Sequence, residues 1–418
     1  MHCITFPKKN ISCQIVLPKS KSIINRMLVI NYLSCGKAIP DLISEASDVL
    51  VMQDLLTQIS YNNNETVTEI NVGNAGTVMR FLLAVLAITP GKWLLTGSER
   101  MKKRPVKPLT DALQQLGASI TFNKNDGFPP VYIIGNGNLE GGNIKLNAGI
   151  SSQFISALMM IGPYLKGGLS VELQGDIISW PYIEMTRALM EKSSGTCKFN
   201  DKNLKIIEGS YIDIDLPSML EPDWSAAAFW FEIVALAPEA EVLLLGLTQK
   251  SVQGDAVLPL IYEHLGVKSV FTDEGLVITK SAVPRVTEFD FDFTNCPDLA
   301  QAVIVTCAAL GITGRFTGLK TLRIKETDRI AALHHELTKL DYHVEVVGDQ
   351  IILNASIRKS FEKHEIPVIN CYDDHRMAMS FAPLALLHTK ICIGEPETVR
   401  KSYPEFWEHL VKAGFLWE

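Results

Sequence analysis

The chain lacks cysteine pairs of the C-x-x-C kind, long apolar runs and an excess of positive charge. Its eight cysteines, at positions 3, 13, 35, 197, 296, 307, 371 and 392, are scattered, most of them among apolar neighbours as in "VIVTCAALG". That distribution excludes zinc-ribbon spacing and argues against a disulfide framework. Most are expected as reduced core thiols of a cytoplasmic protein, with no disulfide framework or zinc site. No uncharged apolar stretch reaches the roughly 18 residues a spanning helix needs, and "MHCITFPKKNIS" lacks the charged-then-apolar pattern of a secretory leader. Aromatic residues make up only 8%, and the formal net charge is -7. This balance excludes a general binder of nucleic acid or anionic membranes. An anionic ligand would have to be met by local cations.

What is present is a soluble globular composition, 47% hydrophobic and 20% charged, over 418 residues. That length is too great for one ordinary core and predicts two domains. A stripe of apolar residues spaced i, i+3, i+7 recurs six times: Met52/Leu55/Ile59, Val106/Leu109/Leu113, Tyr182/Met185/Leu189, Leu258/Ile261/Leu265, Ile330/Leu333/Leu337 and Tyr403/Phe406/Leu410. The first members are 54, 76, 76, 72 and 73 residues apart, so the chain is a repeat with one short unit near its start. Between the stripes stand six segments apolar on every side, opening near Ser20, Gly73, Gly149, Pro222, Pro297 and Asp373. These predict buried helices. Short β-rich runs such as "VYIIG", "SVELQGD" and "EVLLLGL" complete each unit.

The predicted fold class is therefore α/β, with two domains of three mixed α/β units each. Units one to three span 20–220 and units four to six span 221–418. The N-terminal strand, 1–19, is expected to join the second domain.

The buried helices open with Ser, Gly, Asn, Thr and Asp, so their free backbone N–H groups are open to anions. Cations recur at the same turns: Lys21, Arg26, Arg80, Arg104, Lys325, Arg329, His375, Arg376 and Lys401. The carboxylates Asp223, Asp298, Glu326 and Asp374 stand beside them.

The segments "LPKSKSIINR", "GNAGTVMRFL", "RMKKRPVKPL", "SSQFISAL", "PYIEMT", "PDWSAA", "RIKETDR", "DDHRMAMSF" and "KSYPEF" occur in this order from about Leu17 to Phe406. Together they resemble the signature segments of the 5-enolpyruvylshikimate-3-phosphate synthase family. The resemblance implies the enolpyruvyl transferase inside-out α/β barrel, with helices inside and sheets outside. It implies transfer of the carboxyvinyl group of phosphoenolpyruvate to the 5-hydroxyl of shikimate 3-phosphate, with phosphate released and neither metal nor organic cofactor needed. On the matching positions, Lys21, Ser22, Arg26, Ser151, Ser152, Gln153, Ser179, Tyr182, Asp298 and Lys325 would contact shikimate 3-phosphate. Lys21, Gly76, Arg104, Gln153, Arg329, His375, Arg376 and Lys401 would contact phosphoenolpyruvate. Asp298, Glu326 and Lys21 would carry the acid/base chemistry. The resemblance further implies a monomer, and sensitivity to glyphosate that depends on a small residue at Gly76.

The chain departs from the family's usual pattern at Lys19 for Gly, Phe81 for Pro and Thr321 for Asn, and in "PDWS" for "GDAS", which keeps Asp223 and Ser225 but inserts Trp224. The sister reaction on a UDP-sugar normally brings a cysteine or aspartate on a loop near Arg104, and "SERMKKRPVKPL" has neither. A metabolite sensor on the same scaffold could dispense with Glu326 and Asp298.

Overall fold

The computed structural model describes residues 1–8, 10–37, 44–62, 66–212, 220–281, 286–355 and 366–418. Twelve α-helices occur among them: α1 Lys21–Cys35, α2 Ser47–Ser60, α3 Gly76–Ile88, α4 Lys107–Gln115, α5 Ser152–Ile161, α6 Trp180–Lys192, α7 Trp224–Leu236, α8 Leu258–His264, α9 Ala300–Leu310, α10 Arg329–Lys339, α11 His375–Phe381 and α12 Phe406–Ala413. They alternate in character. Every residue of α3 but Thr77 and Ile88 is buried, and α7, α9 and α11 are buried on nearly all sides. The even-numbered helices bury one stripe each, such as Leu109, Ala112 and Leu113 in α4. The two periodic patterns of the sequence thus fold as two kinds of helix. None of the helices is long and apolar enough to cross a membrane, among the described residues.

The strands follow one plan. The chain opens with β1 (His2–Thr5) and β2 (Asn10–Val16). In the clearest unit, β3 (Val67–Asn71) runs parallel to β4 (Gly91–Thr96), with α3 as the crossover. Then α4 leads to the hairpin of β5 (Ser119–Phe122) and β6 (Val131–Gly135), and β6 pairs antiparallel with β4. The order β3-β4-β6-β5 has counterparts in four more sheets. In one of them β2 is the first strand, parallel to Glu239–Leu245. In another, β1 and Leu416–Trp417 stand where the hairpin strands stand elsewhere, with β1 antiparallel to Ile391–Ile393. The short first repeat, expected to carry strands like the rest, has α1 and α2 and no strand among its described residues. Its 54-residue spacing leaves too little chain for the sheet.

The chain divides into two compact units, Lys21–Leu220 and Met1–Ser20 with Glu221–Glu418. Within the second, the two passing segments are tied together. Ser20 N–H donates to the Glu221 carbonyl at 2.9 Å and Asp223 N–H to the Pro18 carbonyl at 2.8 Å, with a bridge between Lys19 and Pro222.

One expectation is overturned. Cys3 and Cys392 form a disulfide, because the antiparallel register of β1 sets them directly opposite at a Cα separation of 3.9 Å. They are 389 residues apart in sequence, so neither spacing nor neighbours could reveal the pair. The other six cysteines are free, and most of them are buried.

Within α7, Glu232 is fully buried and neither carboxyl oxygen has a hydrogen-bond partner. Burial pushes its pKa well above the ordinary carboxylate value. Between the unfolded and folded pKa the native chain holds one proton more than the unfolded chain, so this group lowers stability as pH rises through that window. Glu232→Met should therefore stabilise the protein by on the order of 1–3 kcal/mol at neutral pH. Its advantage in denaturant midpoint should be smaller near pH 4 than near pH 8. An advantage that does not change with pH would mean the native carboxyl is already ionised.

Candidate active site

In the Lys21–Leu220 unit the starts of α1, α3, α5 and α6 carry the expected residues. Lys21, the first residue of α1, forms an ion pair with Asp48 of α2 at 3.0 Å. Ser151 caps α5 by accepting from the Gln153 N–H at 3.3 Å, and the Gln153 side chain donates to Thr77 on α3 at 3.0 Å. Ser179 precedes α6 with φ 55° and ψ 43°, a left-handed conformation uncommon for a residue with a Cβ.

Arg26 lies deeper than a surface phosphate clamp, at 2% exposure. It donates to Thr186 Oγ1 at 2.7 Å, the Ser22 carbonyl at 2.8 Å, Ser156 Oγ at 3.2 Å and the Tyr182 carbonyl at 3.3 Å. Its guanidinium sits 5.3 Å from the Phe81 ring centre and 5.9 Å from that of Tyr182. Burial lowers its pKa to about 10, against the pull of Tyr182. Phe81, the departure from the usual Pro, is thus a packing partner of Arg26.

Gly76 opens α3 against Arg104. A Cβ there would lie 2.5, 2.7 and 2.8 Å from the two terminal nitrogens and the central carbon of the Arg104 guanidinium. Arg80, one turn along α3, donates to the Gly76 carbonyl at 2.9 Å and the Pro105 carbonyl at 3.4 Å. The glycine therefore permits close approach of a guanidinium to a helix start.

In the other unit, the starts of α9, α10 and α11 bring opposite charges together. Arg329, the first residue of α10, is 1% exposed and is shared by three carboxylates. It donates from Nε to Asp374 Oδ2 at 2.7 Å, from Nη1 to Asp298 Oδ1 at 3.1 Å and from Nη2 to Glu326 Oε2 at 3.1 Å. Asp298 also meets Arg376 at 3.0 Å and Lys325 at 3.5 Å, and Glu326 meets Lys401 at 2.9 Å. Asp374 caps α11 through the Arg376 N–H at 3.0 Å and lies 3.8 Å from His375 Nδ1.

Burial alone would raise the Asp298 pKa, but Arg376, Lys325 and Arg329 outweigh it and hold the carboxyl well below its ordinary value. Burial likewise works against the Arg329 charge, and Asp374, Glu326 and Asp298 more than offset it. Two partners escaped sequence reasoning: Asp48 beside Lys21, and Asp255, which accepts from Ser225 Oγ at 2.5 Å. Both are single acids in unremarked stretches, with only the neighbouring "GD" of a turn as a signal for Asp255.

Helix starts and clustered cations beside buried carboxylates define a protein that holds multiply charged small anions and moves protons on them. The family model described as EPSP synthase (3-phosphoshikimate 1-carboxyvinyltransferase) matches residues 6–410. A 3-phosphoshikimate 1-carboxyvinyltransferase of Bacteroides fragilis is 45% identical over 406 residues, 97% of this chain and 96% of that protein. One of Shewanella halifaxensis is 34% identical, covering 96% of each. The EPSP synthase structure from Acinetobacter baumannii superposes with a TM-score of 0.75 at 21% identity, over 100% of this chain and 99% of that one, and shows the shared two-domain α/β fold. The chain belongs to the EPSP synthase (3-phosphoshikimate 1-carboxyvinyltransferase) family.

Proposed function

We infer that this chain transfers the carboxyvinyl group of phosphoenolpyruvate to the 5-hydroxyl of shikimate 3-phosphate and releases phosphate, a step of aromatic amino acid biosynthesis. The observation that carries the assignment of roles is the sharing of buried Arg329 between Asp298 and Glu326. In the addition step the 5-hydroxyl oxygen bonds to C2 of phosphoenolpyruvate, its proton goes to Asp298, and C3 gains a proton from Glu326. In the elimination step C3 returns a proton to Glu326, the C2–O bond to phosphate breaks, the double bond reforms, and the proton held by Asp298 passes to the departing phosphate. Lys21 shares the acid role. Arg104, Arg329, His375, Arg376, Lys401, Gln153 and the Gly76 turn hold phosphoenolpyruvate. Lys21, Ser22, Arg26, Ser151, Ser152, Gln153, Ser179, Tyr182, Asp298 and Lys325 hold shikimate 3-phosphate.

The charge pairs give this assignment a physical logic. While Arg376, Lys325 and Arg329 engage Asp298, its depressed pKa makes it a weak base. Substrate phosphate and carboxylate groups compete for the same cations, and each cation drawn away returns basicity to Asp298. Proton abstraction is thereby tied to substrate binding.

The test is incubation of the protein with both substrates and no added metal or cofactor, following phosphate and the enolpyruvyl product. Product formation is expected. Tight binding of shikimate 3-phosphate without product would instead favour a sensor. We also read the protein as a cytoplasmic monomer without nucleic-acid or membrane partners; its net charge of -7 supports the last part of that reading.

Gly76→Ala should fold normally, because the added methyl meets the movable end of Arg104 rather than backbone. Displacing that guanidinium should raise the KM for phosphoenolpyruvate by about tenfold or more and weaken glyphosate inhibition further. Equal inhibition constants for the two proteins would refute the steric account.

A further inference from the structure

Two consecutive residues ahead of α11 hold the left-handed backbone conformation, Tyr372 with φ 57° and Asp373 with φ 56°. Aspartate tolerates that region, but tyrosine adopts it rarely, so the surroundings must hold it there. Two carboxylates do so. Glu336 of α10 is fully buried and accepts from the Tyr372 hydroxyl at 2.6 Å through Oε1. Its Oε2 accepts from the Asn370 N–H at 3.3 Å and from Lys339. Glu395, just before the 3-10 turn Pro396–Lys401, accepts from the Cys371 N–H at 3.1 Å and the Asp373 N–H at 3.4 Å through one oxygen.

Beyond Asp373 the chain enters the site directly. Asp374 accepts from Arg329 Nε at 2.7 Å and Nη2 at 3.3 Å, and it caps α11, whose first residues are His375 and Arg376. Arg376 donates to the Asp298 carbonyl at 3.0 Å and meets the Asp298 carboxylate at 3.0 Å. Arg329 and Glu336 are seven residues apart on α10, so they lie about two turns apart on one face. That face grips the segment 370–374 at two places: Glu336 holds Asn370 and Tyr372, and Arg329 holds Asp374.

We propose that Tyr372 and Glu336 are positioning residues for the transfer: their hydrogen bond keeps the segment ahead of α11 left-handed and so aims His375 and Arg376 at phosphoenolpyruvate. The inference rests on the assignment of those two residues to phosphoenolpyruvate. Without the phenol bond the backbone at Tyr372 is free to relax to negative φ, which displaces Asp374 and the start of α11. Most of the residues assigned to shikimate 3-phosphate belong to the Lys21–Leu220 unit, so the loss falls on one substrate.

Steady-state kinetics of wild type, Tyr372→Phe and Glu336→Gln test this. Tyr372→Phe removes one oxygen and should raise the KM for phosphoenolpyruvate about tenfold, with kcat and shikimate 3-phosphate affinity within about threefold of wild type. In Glu336→Gln the amide can donate to the phenol oxygen while its carbonyl accepts from the Asn370 N–H and Lys339. This variant should therefore keep a KM within about threefold of wild type. A KM for phosphoenolpyruvate that is unchanged in Tyr372→Phe, or that rises together with the KM for shikimate 3-phosphate, overturns the proposal. So does a KM in Glu336→Gln as high as that of Tyr372→Phe. Hydrogen exchange of wild type and Tyr372→Phe without ligands reads the segment itself. The amides of residues 370–377 should exchange about tenfold faster in the variant, and those of the rest of the chain at the wild-type rate. That readout needs no turnover, so unchanged exchange at 370–377 overturns the proposal, whereas a wild type that forms no product tells against the transferase reading.

Discussion

Glu326→Gln is expected to lower kcat by about 10²–10⁴-fold, the range for loss of a positioned acid/base group. The substitution keeps the shape of the side chain. In the wild type one oxygen accepts from Arg329 at 3.1 Å and the other meets Lys401 at 2.9 Å. Gln retains one acceptor and turns an amide N–H₂ towards the other cation, so local repulsion replaces one ion pair. Neighbouring Arg329 remains fixed by Asp374 and Asp298, which limits the disturbance. Shikimate 3-phosphate affinity should then stay within a few-fold of wild type. Exchange of solvent hydrogen into the methylene carbon should be lost along with turnover. Near-normal turnover in the variant would remove Glu326 from the proton transfer and shift attention to Lys21.

The stretch "LRIKETDRI" illustrates how far charge in a sequence can be read. Its five charged residues look equivalent in one dimension. In the fold, Arg323 turns to Asp349, Asp328 and the Gly348 carbonyl, and Asp328 caps α10 through the Ala331 N–H. Lys325, Glu326 and Arg329 face Asp298, Lys401 and Asp374 instead. Which charge serves the helix cap and which serves the site depends on the backbone between the 3-10 turn Lys320–Ile324 and α10, which composition does not encode.

The helices were legible because a buried stripe leaves a 3.6-residue period that needs only local sequence. Pairing between strands far apart in sequence leaves no such trace. β2 meets Glu239–Leu245 across a whole intervening unit, and Cys3 meets Cys392 from near the far end of the chain. Arg26 shows the same limit at the level of one residue. Its motif fixed its place on α1, but its burial against Thr186, Ser156 and Phe81 comes from three other helices.

Arg329→Met should be the most destabilising single change in the site, by about 3–5 kcal/mol. For a unit of this size that corresponds to a fall in Tm of roughly 6–20 °C. The methionine is apolar and of similar length, so packing is largely kept and the loss is electrostatic. Asp374 is fully buried and would keep only the Arg376 N–H and the distant His375 as partners, after losing bonds at 2.7 and 3.3 Å. Asp298 would retain Arg376 and Lys325, so its pKa should rise only partway. In wild type the depressed Asp298 pKa contributes stability above the ordinary carboxylate range, and that contribution is lost as pH falls through the folded value. The variant lacks part of it from the start, so the gap in Tm between the two proteins should hold down to about pH 4 and narrow only on further acidification. A Tm unchanged at neutral pH would show that the three carboxylates are satisfied without the guanidinium. Arg329→Lys separates charge from geometry: a point charge can meet one carboxylate well but cannot fork to three, so it should recover only a minor share of the loss. Under the proposed assignment, the same multiplicity would let a substrate anion draw on Arg329 without unfolding its surroundings, since displacing one carboxylate leaves the other two in place.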